Sequence, residues 1–280
     1  MLPITVYEVG PRDGLQNWEG SLTTDEKVGL INDLYDAGLT EIEITSFVHP
    51  KRVPNLADAE NVVVGTKELA DFGVLVPNVK GFERAKSVGV KKFNVCFSTS
   101  EEFNVRNWGK TLNELYNEYF LMLKDEKKEN VRVYVSCAFG CPYEGLPNEF
   151  RLRKVLKMAS NLGDTVVLCD TVGACYPSKL LQTLELTKNL PVTVALHLHE
   201  GKNDMFRSVD AAVEWGITTF DGSIAGLGGC PFMPNSGNNL STNKLISWAD
   251  SRGYQTGVDL AAIDKLAYWL KGKVPEIILT

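Results

Sequence analysis

Eight short β-branched runs, each followed by a polar or glycine-rich turn and then a helical pattern, constrain this chain more than any other feature. The runs are ITVYEV (4–9), EIEITSF (41–47), GVLVPN (73–78), KKFNVCFS (91–98), VRVYVSCAFG (131–140), DTVVLCD (164–170), VTVALHLH (192–199) and TTFDGSIAG (218–226). Helical patterns fall between them, for instance at 24–37, 55–70, 111–129, 148–162, 177–189 and 203–215. In TTDEKVGLINDLYDAG, Thr24 is placed to cap a helix, Val28, Ile31, Leu34 and Tyr35 form one face, and Gly38 supplies the stop. Strict alternation of strand and helix predicts a parallel sheet with helices outside. Eight such units in 280 residues suit one closed (β/α)8 barrel, the TIM fold, as a single domain over 1–280. An open doubly wound sheet fits less well, because the first strand is not followed by a G-x-G-x-x-G turn.

Composition excludes several classes of function. The net charge is −6 and no long run of Lys or Arg occurs, so a nucleic-acid footprint is missing. No apolar stretch approaches the roughly 20 residues of a membrane span. MLPITVYEV reads as a first strand and not as a signal peptide, lacking a basic segment and a cleavage site. The six cysteines are scattered, unlike a disulfide framework, and Cys137 and Cys141 have no second pair of matching spacing for zinc. These features point to a reduced, cytoplasmic protein.

In a barrel of this kind, catalytic groups sit at the C-terminal ends of strands or just beyond. Arg12 and Asp13 follow the first run inside Gly-Pro-Arg-Asp-Gly, Glu43 lies in the second, and Asn78 follows the third. Ser136 and Asp170 end the fifth and sixth, and His197 and His199 end the seventh. Two residues apart on a strand point the same way, so both imidazoles can face one interior point that Asp13 also reaches. A buried histidine pair invites a divalent cation. Imidazole, carboxylate and amide oxygen suit Mg²⁺ or Mn²⁺ in octahedral geometry, with zinc less favoured, and spacing does not choose among them. Arg12 offers a positive fork fit to stabilise an enolate or hold a carboxylate. Cys230 lies in AGLGGCPFMPNSGNNLS (225–241), a glycine- and asparagine-rich loop expected to be mobile over about 226–240, where a thiol can serve as a general acid or base.

Taken in order, VGPRDGLQN (9–17), AGLTEIEITSFVHPKRVPNLAD (37–58), YVSCAFGCPYEG (134–145), DTVG (170–173), HLH (197–199) and AGLGGCPF (225–232) resemble the 3-hydroxy-3-methylglutaryl-CoA lyases, barrel metallolyases marked by an Arg-Asp-Gly turn. The resemblance covers nearly the whole chain. It implies a divalent metal held by Asp13, His197, His199 and an asparagine, with Asn239 matching better than Asn238. It also implies that Arg12 stabilises an enolate, that Glu43 orders the site around Arg12, that Asp170 belongs to the active-site mouth, and that Cys230 acts on the acetyl-CoA carbanion. The implied reaction is a retro-Claisen-type cleavage of an acyl-CoA thioester by a homodimer, giving acetyl-CoA and acetoacetate.

The chain departs from that family's pattern at four positions. Glu200-Gly201-Lys202-Asn203 replaces an acid or amide followed by Thr-x-Gly, Val167 replaces a serine, Cys169 replaces a glycine, and Asn243 replaces an acid. Losing a hydroxyl from a site can redirect its substrate preference. Related alternatives are the condensing enzymes of the isopropylmalate or homocitrate synthase kind and the 4-hydroxy-2-oxoacid aldolases. A zinc amidohydrolase would carry its His-x-His on the first strand, and a non-catalytic metal-binding barrel would bind acyl-CoA without turnover.

Overall fold

The computed structural model describes residues 3–18, 20–66, 72–200, 204–229 and 237–273. Eight parallel strands close into a barrel in sequence order: β1 (Thr5–Glu8), β2 (Glu41–Ser46), β3 (Phe72–Leu75), β4 (Lys92–Ser98), β5 (Val131–Ser136), β6 (Thr165–Cys169), β7 (Thr193–His197) and β8 (Thr219–Gly222). Closure is made by β8 pairing with β1, with Tyr7 opposite Asp221 and Glu8 opposite Gly222. Around the barrel lie α1 (Thr24–Asp36), α2 (Ala59–Gly65), α3 (Val79–Ser87), α4 (Glu101–Trp108), α5 (Leu112–Met122), α6 (Glu149–Leu162), α7 (Pro177–Glu185), α8 (Met205–Trp215), α9 (Thr242–Ser251) and α10 (Leu260–Lys273). No described helix is long and apolar enough to cross a membrane.

Alternation along each strand divides the molecule into two environments. Phe93, Val95 and Phe97 of β4, Val133 and Val135 of β5, Val166 and Leu168 of β6, and Phe220 of β8 join the helices in one apolar shell. The intervening residues turn inward. There Tyr134, Val167, Cys169 and Ala195 form a small separate cluster, with Leu75 and Cys96 beside it. Asn94, Arg132 and Asp221, also buried, share that interior.

Element ends follow local chemistry. The cap of α1 is Thr23, one residue before the expected Thr24. Its hydroxyl accepts from Glu26 N at 3.2 Å while Glu26 returns a bond to Thr23 N at 2.8 Å, a capping box. Thr24 instead donates its hydroxyl to Asp58 at 2.7 Å. The helix expected over 55–70 is shorter, because Pro54 opens a separate 3₁₀ turn at Pro54–Leu56 before α2. Asn78 begins α3, a helix with few apolar residues, by accepting Gly81 N at 2.9 Å. The fifth strand stops at Ser136, because Cys137 takes a φ of 59°, outside any strand.

Glu8 faces away from the barrel axis and is fully buried. Its Oε1 accepts Gly10 N at 2.7 Å and Ile224 N at 2.9 Å, and its Oε2 accepts the Thr242 hydroxyl at 2.5 Å. One carboxylate thus ties the exit of β1 to the loop after β8 and to the start of α9. Burial nevertheless pushes Glu8 up to about 7, and burial pushes Asp170 up to about 6. A carboxyl raised on folding favours the folded state fully below its unfolded value and loses that contribution as pH rises through the folded value. Chemical denaturation between pH 4.5 and 8 is therefore expected to show stability falling as pH rises. In Glu8→Gln, whose Oε1 still accepts from Gly10 and Ile224 while its Nε2 donates to the Thr242 hydroxyl oxygen, the slope flattens and the variant is more stable than wild type at pH 8 by on the order of 2 kcal/mol.

Candidate active site

The Gly10–Gly14 segment leaves β1 as a single π-helical turn wrapped around one carbonyl. Val9 O accepts from Arg12 N at 3.1 Å, Asp13 N at 2.7 Å and Gly14 N at 3.3 Å. Pro11 costs nothing there, since an N–H at that point of a first turn has no partner to find. A Cβ on Gly14 would lie 3.1 Å from Leu227 and from Ser223 Oγ, so the turn packs tightly against the loop after β8. The turn therefore holds Arg12 and Asp13 side by side at the C-terminal mouth of the barrel.

Asp13, His197 and His199 converge, with one ligand atom from each lying within 4.8 Å of the others. The two imidazole Nε2 atoms face each other at 3.2 Å, and Asp13 Oδ2 lies 3.9 Å from His197 Nε2. His197 ends β7, while His199 lies two residues on, where its backbone pairs with Asn239. The Asn239 amide donates to Asp13 Oδ2 at 2.9 Å and to Leu227 O at 3.0 Å. Its Oδ1 is buried without a hydrogen-bond partner, whereas Asn238 is exposed. A carboxylate, two imidazoles whose Nε2 atoms face each other and an orphaned amide oxygen fit a cation of mixed N/O preference.

His197 Nδ1 lies 3.1 Å from Asp221 Oδ2, while Asp221 Oδ1 accepts Arg132 Nη2. That carboxylate puts the imidazole proton on Nδ1 and leaves Nε2 free to face the cluster. Burial alone would lower His197, but Asp221, by hydrogen bond and charge, and then Asp13 outweigh it and raise it. Burial, followed by the neighbouring His197, pulls His199 down to about 4. Burial alone would raise Asp13, yet Arg12 and then His197 hold it below its ordinary range.

Arg12 donates Nε–H to Glu43 Oε2 and Nη1–H to Asp13 Oδ1, the latter at 2.6 Å. Glu43 is fully buried, as its inward position on β2 requires, and Arg12 is 7% exposed. A cavity of about 650 Å³ opens beside Arg12, Asp13, His197 and His199. Leu75, Cys96, Tyr134 and Cys169 line it with apolar surface, and the more exposed Arg52, Arg106 and Lys110 also line it. The Tyr134 hydroxyl is buried without a partner.

Another expected site residue, Asp170, is engaged by its own loop. Asp170 gives its carboxylate oxygens to Ala174 N at 2.9 Å and Cys175 N at 3.0 Å, which shapes the loop after β6, and it is not among the three converging ligand groups. Cys230 lies outside the described residues, as does the rest of 230–236. The departures from the family pattern have structural places. Val167 sits in the interior cluster, Cys169 lines the cavity, and Glu200 pairs with Lys244 at 3.0 Å. Asn243 accepts Ala225 N at 3.0 Å and donates to Asp264 at 2.6 Å. Asp221, Arg132, Asn94 and Tyr7 were not among the sequence candidates. The available signal was a polar side chain at an inward position of a strand otherwise rich in Val, Phe and Leu.

An α/β barrel with an acid–histidine–histidine cluster and a clamped arginine at its C-terminal mouth defines the class. The HMGL-like family model matches residues 3–269. The hydroxymethylglutaryl-CoA lyase of Pseudomonas mevalonii is 37% identical over 270 residues, covering 94% of this chain and 90% of that protein. The crystal structure of the Bacillus subtilis HMG-CoA lyase superposes with a TM-score of 0.94 at 35% identity, covering 100% of this chain and 96% of that one. An HMG-CoA lyase from Acinetobacter baumannii in complex with coenzyme A and 3-methylmalate superposes with a TM-score of 0.91 at 31% identity, covering 98% and 92%. This chain belongs to the HMGL-like family.

Asp221→Asn tests how His197 is held. An amide cannot fix the Nδ1 proton as a carboxylate does, and it leaves Arg132 without its anion. Mn²⁺ titration by calorimetry is expected to show an affinity about 10- to 100-fold weaker than wild type. Unchanged affinity would mean that Asp221 serves Arg132 alone.

Proposed function

We propose that the chain is a divalent-cation-dependent carbon–carbon lyase that cleaves 3-hydroxy-3-methylglutaryl-CoA to acetyl-CoA and acetoacetate. The observation that carries this reading is the clamped Arg12 guanidinium set directly beside the Asp13, His197 and His199 cluster in one cavity. Its relatives are named for that reaction, and one was solved with coenzyme A.

Asp13, His197, His199 and Asn239 would hold the cation, with Mg²⁺ or Mn²⁺ favoured over zinc by the oxygen ligands and the room left for substrate. When bound, it supplies Lewis acidity toward the hydroxyl and carboxylate oxygens of the substrate. Every other role falls to the chain. A basic group of the Asp13–His197 pair removes the tertiary hydroxyl proton. The bond between C2 and C3 then breaks, C3 becomes the ketone of acetoacetate, and the electron pair passes into the thioester as an enolate. Arg12, fixed by Glu43, presents its guanidinium to that oxyanion at no reorganisation cost. Protonation of the enolate carbon, with Cys230 as the acid, completes acetyl-CoA. The more exposed Arg52, Arg106 and Lys110 suit the phosphates of the CoA arm. Arg106 pairs with Glu102 at 2.6 Å and Lys110 with Glu118, partners that a phosphate would share or displace.

The same reading takes the chain as one catalytic domain that works as a cytoplasmic homodimer. Cys96, Cys137, Cys141 and Cys169 are free thiols, in keeping with a reducing compartment.

A coupled assay with 3-hydroxy-3-methylglutaryl-CoA, Mg²⁺ or Mn²⁺ and a thiol reductant is the direct test. Cation-dependent acetoacetate and acetyl-CoA are expected, with kcat reduced about 10³-fold in Arg12→Gln. Product is lost in His197→Ala, and turnover is slowed in Cys230→Ser. Protein that binds both Mn²⁺ and acyl-CoA yet forms no product would overturn the reading in favour of a non-catalytic barrel.

A further inference from the structure

Inside the barrel, beneath the cavity, a short polar chain remains that the proposed chemistry does not use. Asn94 faces inward from β4 and is 2% exposed. Its amide donates one hydrogen to Glu43 Oε1 at 2.6 Å and the other to the Tyr7 hydroxyl at 2.9 Å. The orientation is dictated by charge, since the reversed amide would set its oxygen against the Glu43 carboxylate. Glu43 is thus gripped at both oxygens, by Asn94 on one and by Arg12 Nε on the other.

Tyr7 extends the chain toward the histidines. Its ring lies under the Arg132 guanidinium, 4.0 Å from the centroid, and Arg132 binds the same Asp221 that faces His197 Nδ1. Gly73 on β3 supplies an independent sign that this junction is built into the fold. A Cβ there would lie 2.3 Å from the Tyr7 hydroxyl and 3.0 Å from the Asn94 amide nitrogen. Its φ is not in the left-handed region, so the space, not the backbone, calls for glycine.

We propose that Asn94, seated on Tyr7, is the positioning residue for Arg12: it holds Glu43 in the one orientation that aims the guanidinium at the thioester oxygen. This deepens the lyase reading and rests on it for the identity of that oxygen. The geometric part, that Asn94 sets Arg12 through Glu43, stands on the hydrogen bonds alone. Removing the amide leaves a buried carboxylate with one donor fewer, free to rotate, and Arg12 turns with it. Asn94 reaches the converging ligand groups only through Arg12, whose Nη1 also holds Asp13, so any change in cation affinity stays well below the loss in kcat.

The test is a double-mutant cycle on the full chain with Asn94→Leu, Glu43→Gln and the pair, reading kcat, KM, Mn²⁺ affinity and the ¹⁵N–¹H signal of Arg12 Nε. That signal is assigned by its loss in Arg12→Lys. Asn94→Leu is expected to lower kcat about 10- to 100-fold, with KM and Mn²⁺ affinity within about threefold. Little further loss is expected when it is added to Glu43→Gln, as for residues acting in series. The Arg12 Nε signal should move in both single variants. Tyr7→Phe, which keeps the ring beneath Arg132, should give a smaller loss of the same kind and serves if Asn94→Leu does not fold. Losses that multiply in the pair, a parallel fall in Mn²⁺ affinity, or an unmoved Arg12 signal would each overturn the proposal. If wild type shows no cleavage at all, the lyase reading fails, while the Arg12 signal still decides whether Asn94 sets Arg12.

Discussion

The ion pair between Arg12 and Glu43 governs the geometry at the centre of this barrel. Both groups are buried, and neither has enough water to survive as a charge alone. Truncating one member of such a pair typically costs about 3–5 kcal/mol, because the other stays buried and uncompensated. The same logic runs through the interior. Two arginines, Arg12 and Arg132, meet three carboxylates, Asp13, Glu43 and Asp221, with His197 between Asp221 and Asp13. The carboxylates exceed the guanidiniums by one, and the excess lies beside two imidazoles and an unpartnered amide oxygen. A bound divalent cation would find this excess negative charge beside its ligands.

Such an interior is tolerable because stability is supplied elsewhere. The apolar shell between sheet and helices takes alternate residues of every strand, so inward positions are released from packing duty. Long-range polar ties then set the mouth. Glu8 fastens the first turn to the loop after β8, and Asn239 fastens that loop to Asp13. The segments holding Asp13 and Asn239 are more than 220 residues apart in sequence and adjacent in space. A change in the Glu8 tie therefore moves a ligand group without touching it, whereas the Asn239 tie acts on Asp13 directly.

The four departures from the family pattern fall into two kinds. Glu200 and Asn243 are absorbed by local partners, Lys244 in one case and Ala225 and Asp264 in the other, and stay outside the cavity wall. Cys169 and Val167 bear on the cavity itself, one lining it and the other packed behind it with Tyr134 and Ala195. Together with Leu75 and Cys96 they make that wall apolar, while the Arg12 side stays charged. An apolar wall of this kind disfavours a polar group by leaving it without partners.

Much of this was legible in the amino-acid order, since alternation and strand length are local properties. The eight runs, their parallel arrangement and the placing of Arg12, Asp13, Glu43, His197 and His199 near one mouth follow from periodicity and from where strands end. The choice of Asn239 over Asn238 rested on motif resemblance, and the exposure of Asn238 supports it physically. Helix ends were less legible, as at Thr23 and in the short α2, because a single cap or proline decides them. What only the tertiary structure decided is the pairing of distant polar residues: Asp221 with His197, Arg132 with Asp221, and Asn94 between Glu43 and Tyr7. Each of these, read alone, is a polar residue in an apolar strand. Strand periodicity fixes which side of the sheet a residue faces, but the partner it meets across the barrel depends on the register of strands far apart in the chain.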